Sequence, residues 1–162
     1  MPRISVSQAG GQNRCAFLDA IATSEIGAAL LAQTDDGYNV LVGATPDNPL
    51  TFPNYARHPD ILNTHVGSTA AGRYQILFRY WQIYRQRLNL PDFGPVSQDL
   101  YALQQLRERH ALPLIDAGDF AGAIAAVNNI WASLPGSPYG QHTNALDDLQ
   151  TAYQQAGGTV SA

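Results

Sequence analysis

The segment "LDAIATSEIG" (residues 18–27) decides the fold, because it has the pattern of an amphipathic helix that ends on an acid. Leu18 and Ile21 stand at i and i+3 on one helical face, the spacing of a helix that packs against a core. The i+7 position of that face is Glu25, and Gly27 then allows the chain to leave the helix. Glu25 is therefore either a surface residue at the end of the helix or part of a functional site.

A carboxyl group that is partly withdrawn from water has a raised pKa, because burial disfavours its ionised form. A carboxylic acid that is still protonated near neutral pH can donate a proton to the leaving oxygen of a glycosidic bond. Glu25 is thus a candidate general acid, and the alternative is an ordinary helix-end glutamate that reaches solvent. Glu108, the other glutamate, lies between two arginines in "QQLRERH" and is predicted to be a solvated surface residue.

The composition favours one domain and excludes several classes of protein. The chain has 162 residues, and no apolar run approaches the roughly 18 residues that a membrane span needs. A net charge of −4 without a basic run argues against nucleic-acid binding. Cys15 is the one cysteine, which excludes an internal disulfide. The four histidines lack metal-ligand spacing, so we expect no metal and no other cofactor.

The N-terminal stretch "MPRISVSQAGGQNR" has no apolar region of the kind that a secretory signal carries. We therefore expect a single domain over residues 1–162, in which residues 1–12 form a flexible tail. We also expect the protein to accumulate in the cytoplasm of the cell that makes it.

Helical patterns dominate the rest of the chain, which predicts an α+β fold that is mainly α, with about five helices. A small hairpin is predicted from "GYNVLVG" (37–43), a β-branched run between glycines, with Leu50–Phe52 as the return strand. Residues 26–36 fit either a further helical turn or an apolar lip. The predicted helices are Asn13–Glu25 with Asn13 as N-cap, 67–88 from a Ser/Thr start, one from a Ser97 cap to Pro113, one from an Asp119 cap to just before Pro135, and 142–158 with Gly157 after its end.

Two segments offer contacts for a sugar. "STAAGRYQIL" (68–77) places small and hydroxyl residues where a ligand could approach the backbone, followed by Tyr74 and Gln75. The alternative for this segment is a helix cap followed by core residues. "NNIWASLPGSPYGQ" (128–141) ends in a Gly/Pro loop, where Tyr139 is predicted to be exposed and able to stack on a sugar.

These segments, taken in order, resemble a known family. The stretches that carry the resemblance are "CAFLDAIATSE", "GYNVLVG", "STAAGRYQIL", "SQDLYALQQLRERHALPLIDAGD" and "NIWASLPGSPYGQ". In this order and at these spacings they resemble the lambda-type phage endolysins, which are lysozyme-like lytic murein transglycosylases. The similarity runs from Gln12 to Val160, and "AGRYQI" is similar to a Gly-x-Tyr/Phe-Gln pattern found in lysozyme-like folds.

The resemblance implies a lysozyme-like fold with a helical lobe, a small β-hairpin lobe and a peptidoglycan groove between them. It implies that Glu25 is the sole catalytic carboxylate and that the substrate-binding residues are Ser24, Tyr74, Gln75 and Tyr139. It further implies a monomer that binds glycan strands in the periplasm, inserts into no membrane and depends on a holin for its release.

A second carboxylate would change the reaction. Most glycosidases use two, and Asp35, Asp36 and Asp47 are the candidates, although each has the setting of a turn residue. Glu25 alone would suffice for lytic transglycosylation between N-acetylmuramic acid and N-acetylglucosamine, which gives 1,6-anhydromuramoyl products. The alternatives are a hydrolytic muramidase that acts on the same bond and a non-catalytic peptidoglycan-binding phage protein.

Overall fold

The structure is a computed structural model that describes residues 1–161, and over that range it contains eight helices. They are α1 (Val6–Ala9), α2 (Gln12–Ile26), α3 (Ala28–Gln33), α4 (Phe78–Arg87), α5 (Pro95–Glu108), α6 (Leu112–Asp116), α7 (Phe120–Val127) and α8 (Leu146–Gln155). No helix within residues 1–161 is both long enough and apolar enough to span a membrane.

Helix α2 is the central helix, because it contacts α1, α3, α5, α6 and α8. Leu18 and Ile21, the apolar positions of the opening segment, are both fully buried. A helix that is covered on most sides needs apolar residues around most of its circumference, and Ala16, Phe17 and Ala20 are buried as well. The predicted helix is confirmed, and it delivers Glu25 to the end of a buried element.

The helix ends predicted from local capping signals are right only where the side chain has no distant partner. Asp119 accepts a hydrogen bond from the Gly122 amide as N-cap of α7, and Gly157 follows α8 with a φ of +89°. Asn13 is wrong as an N-cap: its side chain donates to the Ile115 carbonyl (3.1 Å) and accepts from the Thr159 amide (3.0 Å).

Three helix bounds predicted from serine and proline in the second half of the chain also differ from the structure. Ser97 donates to Asp92 (2.9 Å) instead of capping, and α5 begins earlier, at Pro95. Proline suits the first turn of a helix, since its missing N–H has no partner there, and Pro113 likewise lies in the first turn of α6 rather than ending α5. Helix α7 ends at Val127, well before Pro135.

The predicted hairpin forms, although by single bridges rather than by continuous strands. Val40 pairs with Thr51, and the amide of Leu41 donates to the carbonyl of Leu50 (2.9 Å). Leu41 also pairs with Ala71, which adds a third segment to this small lobe. Residues 26–36, for which two structures were open, contain the helix α3.

The helix predicted over 67–88 begins only at Phe78, because the preceding residues fold back as a turn in which Ala71 pairs with Ile76. Gly72 makes this turn possible. Its φ is +79°, and a Cβ there would lie 2.2 Å from the side-chain oxygen of Gln98. That oxygen accepts from the amide of Arg73 (2.9 Å), so the turn is fixed by a buried side chain of α5.

Residues 1–12 are not a flexible tail in the structure. Ile4 and Ala9 are buried, and the residues between them include α1, which is closed by a capping box at Ser5. The amides of Arg3 and Ile4 donate to the buried carboxylate of Asp99 at 2.8 and 2.9 Å. The segment is held because a buried carboxylate needs donors, a requirement that local sequence does not reveal.

Candidate active site

A cleft of about 650 Å³ opens beside the end of α2. It is bordered by that helix end, by the bridged lobe, by α4 and α5, and by the loop that follows α7. The polar side chains of its lining include those of Glu25, Ser68, Tyr74, Gln75, Arg79, Tyr80, Tyr84, Tyr101, Gln105, Arg109, Asn129, Tyr139 and Gln141. Within residues 1–161, Glu25 is the one carboxylic acid in this lining.

A second cleft, of about 770 Å³, lies elsewhere in the structure. Arg57, Asp60 and Arg85 are among its lining residues, and none of the predicted site residues borders it. His58 also borders this cleft. Its Nδ1 accepts from the Asp60 amide, and its Nε2 contacts the carbonyl oxygen of Ile76. The histidine of this cleft is thus occupied by backbone contacts. The candidate active site is the cleft of about 650 Å³ that contains Glu25.

Glu25 is half-buried in the last turn of α2. Burial raises the pKa of its carboxyl group from 4.5 to about 7, and hydrogen bonds from the side chain and backbone of Ser133 oppose the rise. The carbonyl end of a helix also disfavours a negative charge, which acts in the same direction as burial. Glu25 thus has the property required of a general acid at neutral pH, namely a proton that it still holds.

The carboxyl group is held by side chains that are remote in sequence. The Ser133 hydroxyl donates to Oε1 of Glu25, and the hydroxyl of Ser24 lies 2.7 Å from that of Ser133. The side-chain amide of Asn144 donates to the Ser24 hydroxyl (3.0 Å) and to the Ser24 carbonyl (3.1 Å). We refer to Ser24, Ser133 and Asn144 as the support chain of Glu25.

Gln75 and Tyr139, two of the predicted substrate-binding residues, line the cleft. Tyr139 is 56% exposed, and its hydroxyl donates to the carbonyl of Asn129 (2.7 Å), which fixes the ring at the cleft edge. Gln75 has a φ of +46°, and its amide donates to the Gly72 carbonyl (2.9 Å). Both side chains are therefore oriented by backbone contacts and are accessible to a ligand.

Tyr74 and Ser24, the other two predicted substrate-binding residues, have internal hydrogen-bond partners in the structure. Tyr74 borders the cleft, but its ring is buried and its hydroxyl donates to Asp99. Its carbonyl accepts from the indole of Trp131 (3.1 Å), so the residue joins the bridged lobe to the loop after α7. Ser24 is buried behind Glu25 in the support chain and is absent from the cleft lining. Both side chains therefore have internal partners, and the direct sugar contact predicted for each stays a prediction.

The carboxylates proposed as assistants to Glu25 are placed away from the cleft. Asp35 pairs with Arg3 (2.7 Å) and accepts from Tyr55, and Asp36 pairs with Arg73 (2.7 Å). Asp47 is exposed in the turn that links the paired segments. None of the three lines the cleft, and Glu108 lies at the exposed end of α5, where it accepts from Tyr84.

Sequence patterns alone do not indicate a role for Ser133, Asn144, Arg79 or Arg109. Ser133 and Asn144 act on Glu25 across more than a hundred residues of chain, and neither belongs to a recognisable spacing pattern. Arg79 and Arg109 line the cleft at the place where the rings of Tyr84 in α4 and Tyr101 in α5 meet edge to face. Only the fold brings these residues to one site.

The fold and cleft define the class of protein. Bacteriophage lambda lysozyme complexed with a chitohexasaccharide matches the structure with a TM-score of 0.84 and 46% sequence identity, covering 99% of this chain and 100% of that chain. A second structure, lysozyme from bacteriophage lambda, matches with a TM-score of 0.81 and 44% identity over the same shares of both chains. The predicted lysozyme-like, mainly α fold is thereby confirmed.

Sequence comparison gives the family within that class. A family model described as Endolysin matches residues 15–160. The endolysin of Escherichia phage lambda is 48% identical over 151 residues, which are 91% of this chain and 92% of that protein. The endolysin of Escherichia phage P2 is 44% identical over 155 residues, 91% of this chain and 94% of that protein. The chain belongs to the endolysin family and is of the lambda type.

Proposed function

We propose that this endolysin, acting on peptidoglycan, cleaves the β-1,4 bond between N-acetylmuramic acid and N-acetylglucosamine by lytic transglycosylation. The observation that carries the proposal is the lone carboxyl group of the cleft, whose pKa burial raises to about 7. A two-carboxylate mechanism needs a second acid within about 5 to 10 Å across the scissile bond. The other candidate aspartates are paired or exposed outside the cleft, which favours a mechanism with one.

The proposed reaction uses Glu25 twice. Protonated Glu25 donates its proton to the glycosidic oxygen, the C1–O bond breaks, and the N-acetylglucosamine side leaves with a free 4-hydroxyl group. The positive charge that develops at C1 is stabilised by the N-acetyl group of the same sugar. Ionised Glu25 then accepts the proton of the muramoyl C6 hydroxyl as that oxygen bonds to C1. No water is consumed, and an internal nucleophile has a large proximity advantage.

Other residues of the cleft would bind the glycan strand. Tyr139 offers an exposed aromatic ring and Gln75 an amide, which are the groups that sugars stack on and hydrogen-bond to. Arg79 and Arg109 bring positive charge to the same cleft of a protein whose net charge is −4. Positive charge in the cleft favours an acidic glycan such as murein, whose peptide side chains carry carboxylates, over an uncharged polysaccharide.

Digestion of purified murein in water enriched in oxygen-18 tests the reaction class. We expect muropeptides that end in 1,6-anhydromuramic acid, that are one water molecule lighter than hydrolysis products and that contain no oxygen-18 in the mass spectrum. Murein digested in parallel by an authentic muramidase is the control, since the reducing ends of those hydrolysis products incorporate the label. Reducing-end products that carry oxygen-18 would instead assign the hydrolytic muramidase reaction on the same bond.

A further inference from the structure

The inference concerns the support chain, and it rests on the function proposed above. We propose that Asn144, Ser24 and Ser133 form a hydrogen-bond chain of fixed direction that keeps Oε1 of Glu25 as an acceptor and leaves Oε2 as the oxygen that carries the catalytic proton. Asn144, Ser24 and Ser133 are positioning residues, because they act through Glu25. Of these four residues, Glu25 is the one that lines the cleft.

The Asn144 end of the chain can only donate. Its side-chain nitrogen lies 3.1 Å from the Ser24 carbonyl and 3.4 Å from the Ser133 carbonyl, and both of these groups only accept. These contacts fix the amide with its nitrogen towards Ser24, since the amide oxygen would face two other oxygens. The same nitrogen contacts the Ser24 hydroxyl at 3.0 Å, so the Ser24 oxygen is an acceptor there.

The single hydroxyl proton of Ser24 is therefore free for another partner, and the Ser133 hydroxyl lies 2.7 Å away. Ser133 accepts that proton and directs its own to Oε1 of Glu25. In the reverse direction Ser24 would accept from both Asn144 and Ser133, and its own buried hydroxyl proton would lose the acceptor that now lies 2.7 Å away, which is costly for a buried donor. The direction of the chain is thus set at its Asn144 end.

This direction has a consequence for the proton on Glu25. A proton on Oε1 would meet the Ser133 proton, whereas a proton on Oε2 leaves the hydrogen bond from Ser133 intact. Oε2 is therefore the donor oxygen of the acid form. Because Ser133 holds Oε1, the carboxyl group presents its proton in one orientation, as general acid catalysis at a glycosidic oxygen requires.

Substitution of Ser133 and Ser24 tests the proposal through a property that does not depend on turnover. In Ser133→Ala the donor to Oε1 is lost, so we expect the Glu25 carboxyl, followed by carbon-13 NMR, to titrate about one pH unit higher than in the parent protein. In Ser24→Ala, Ser133 keeps its proton but loses its orientation, so we expect a smaller rise. Ser133→Thr retains the hydroxyl and should titrate like the parent. Arg79 and Arg109 are the charged residues that share the cleft with Glu25, and the same two residues are present in every variant.

Kinetics with a soluble murein fragment give a second readout. In Ser133→Ala we expect kcat to fall about 10- to 100-fold with little change in KM, and the alkaline limb of the kcat/KM profile to move upward with the titration. The proposal would be overturned if Glu25 in a folded Ser133→Ala protein titrated at the same pH as in the parent protein. It would also be overturned if Ser24→Ala raised the titration midpoint of Glu25 more than Ser133→Ala does. The titrations do not depend on whether the product is an anhydro sugar, so failure of the reaction class would be recognised separately.

Discussion

Replacement of Glu25 by glutamine is expected to slow murein cleavage by about 1,000-fold or more, since the reaction loses both its acid and its base. Glutamine has nearly the same shape and can still accept from Ser133, but it has no proton to give at neutral pH. The measurement is the loss of turbidity of outer-membrane-permeabilised cells, together with the release of soluble fragments from purified murein.

The matched control for this variant is Glu108→Gln, which removes the other glutamate of the chain from an exposed position outside the cleft. It should retain activity within about twofold, because surface substitutions away from a site have small effects. Lysis by Glu25→Gln at the rate of this control would contradict the catalytic role and would favour either another catalyst or a non-catalytic wall-binding protein.

Stability measurements show whether Glu25→Gln remains folded, and they have a predictable pH dependence. The folded protein binds a proton at Glu25 that the unfolded chain releases between pH 4.5 and about 7, because the pKa is about 7 when folded. The free energy of unfolding of the parent protein should therefore fall by about 2 to 3 kcal/mol as the pH rises through that range. The glutamine variant should lack this part of the pH dependence, so the two proteins should differ most above pH 7.

The largest expected effect on stability comes from Asp99→Ala. Asp99 is fully buried and accepts four hydrogen bonds, from the hydroxyls of Tyr38 (2.7 Å) and Tyr74 and from the amides of Arg3 and Ile4. Burial raises the pKa of Asp99, and these four donors oppose the rise. Alanine would remove the acceptor of all four donors, and only the Arg3 amide would keep another, the Tyr38 hydroxyl (3.0 Å), so we expect a loss of about 3 to 5 kcal/mol in the free energy of unfolding.

Urea unfolding of Asp99→Ala beside Asp119→Ala measures this loss against a suitable reference. Asp119 is an exposed N-cap of α7, and its removal should cost only about 1 kcal/mol. The Asp99→Ala substitution should also destabilise one wall of the cleft. Tyr74 binds both Asp99 and Trp131, and Trp131 belongs to the loop that carries Ser133. Equal losses in the two variants would mean that the buried acceptor contributes no more than a surface cap.

The sequence could predict those features that depend on neighbours in the chain. The face of α2, the Asp119 cap and the glycine after α8 are local signals, and the structure confirms each of them. Asn13 and Ser97 carry the same local signal, but the caps predicted there are absent. The side chain of Asn13 binds partners more than a hundred residues away, which no spacing pattern encodes. Ser97 lies inside α5, which begins at Pro95, and its hydroxyl donates to Asp92 just before the helix.

The site was predictable to the same extent. Glu25 could be found because its anomaly is local, an acid on an apolar helical face. Tyr74 was predicted to meet a sugar because aromatic rings often do, but the buried carboxylate of Asp99 holds its hydroxyl. The support chain joins residues 24, 133 and 144, and its existence depends on how the loop after α7 packs against the end of α2.

The pKa of Glu25 in the folded, ligand-free protein is the measurement closest to the central claim. The chain has two glutamates, so carbon-13 labelling of glutamate side chains gives two carboxyl resonances, and the Glu108→Gln variant assigns them. We predict that Glu25 titrates at about pH 7, while hydrogen bonds from Tyr84 and Gln104 keep the pKa of Glu108 below its usual value. Titration of both carboxyl groups at or below pH 4.5 would mean that Glu25 carries no proton at neutral pH, and the proposed mechanism would be wrong.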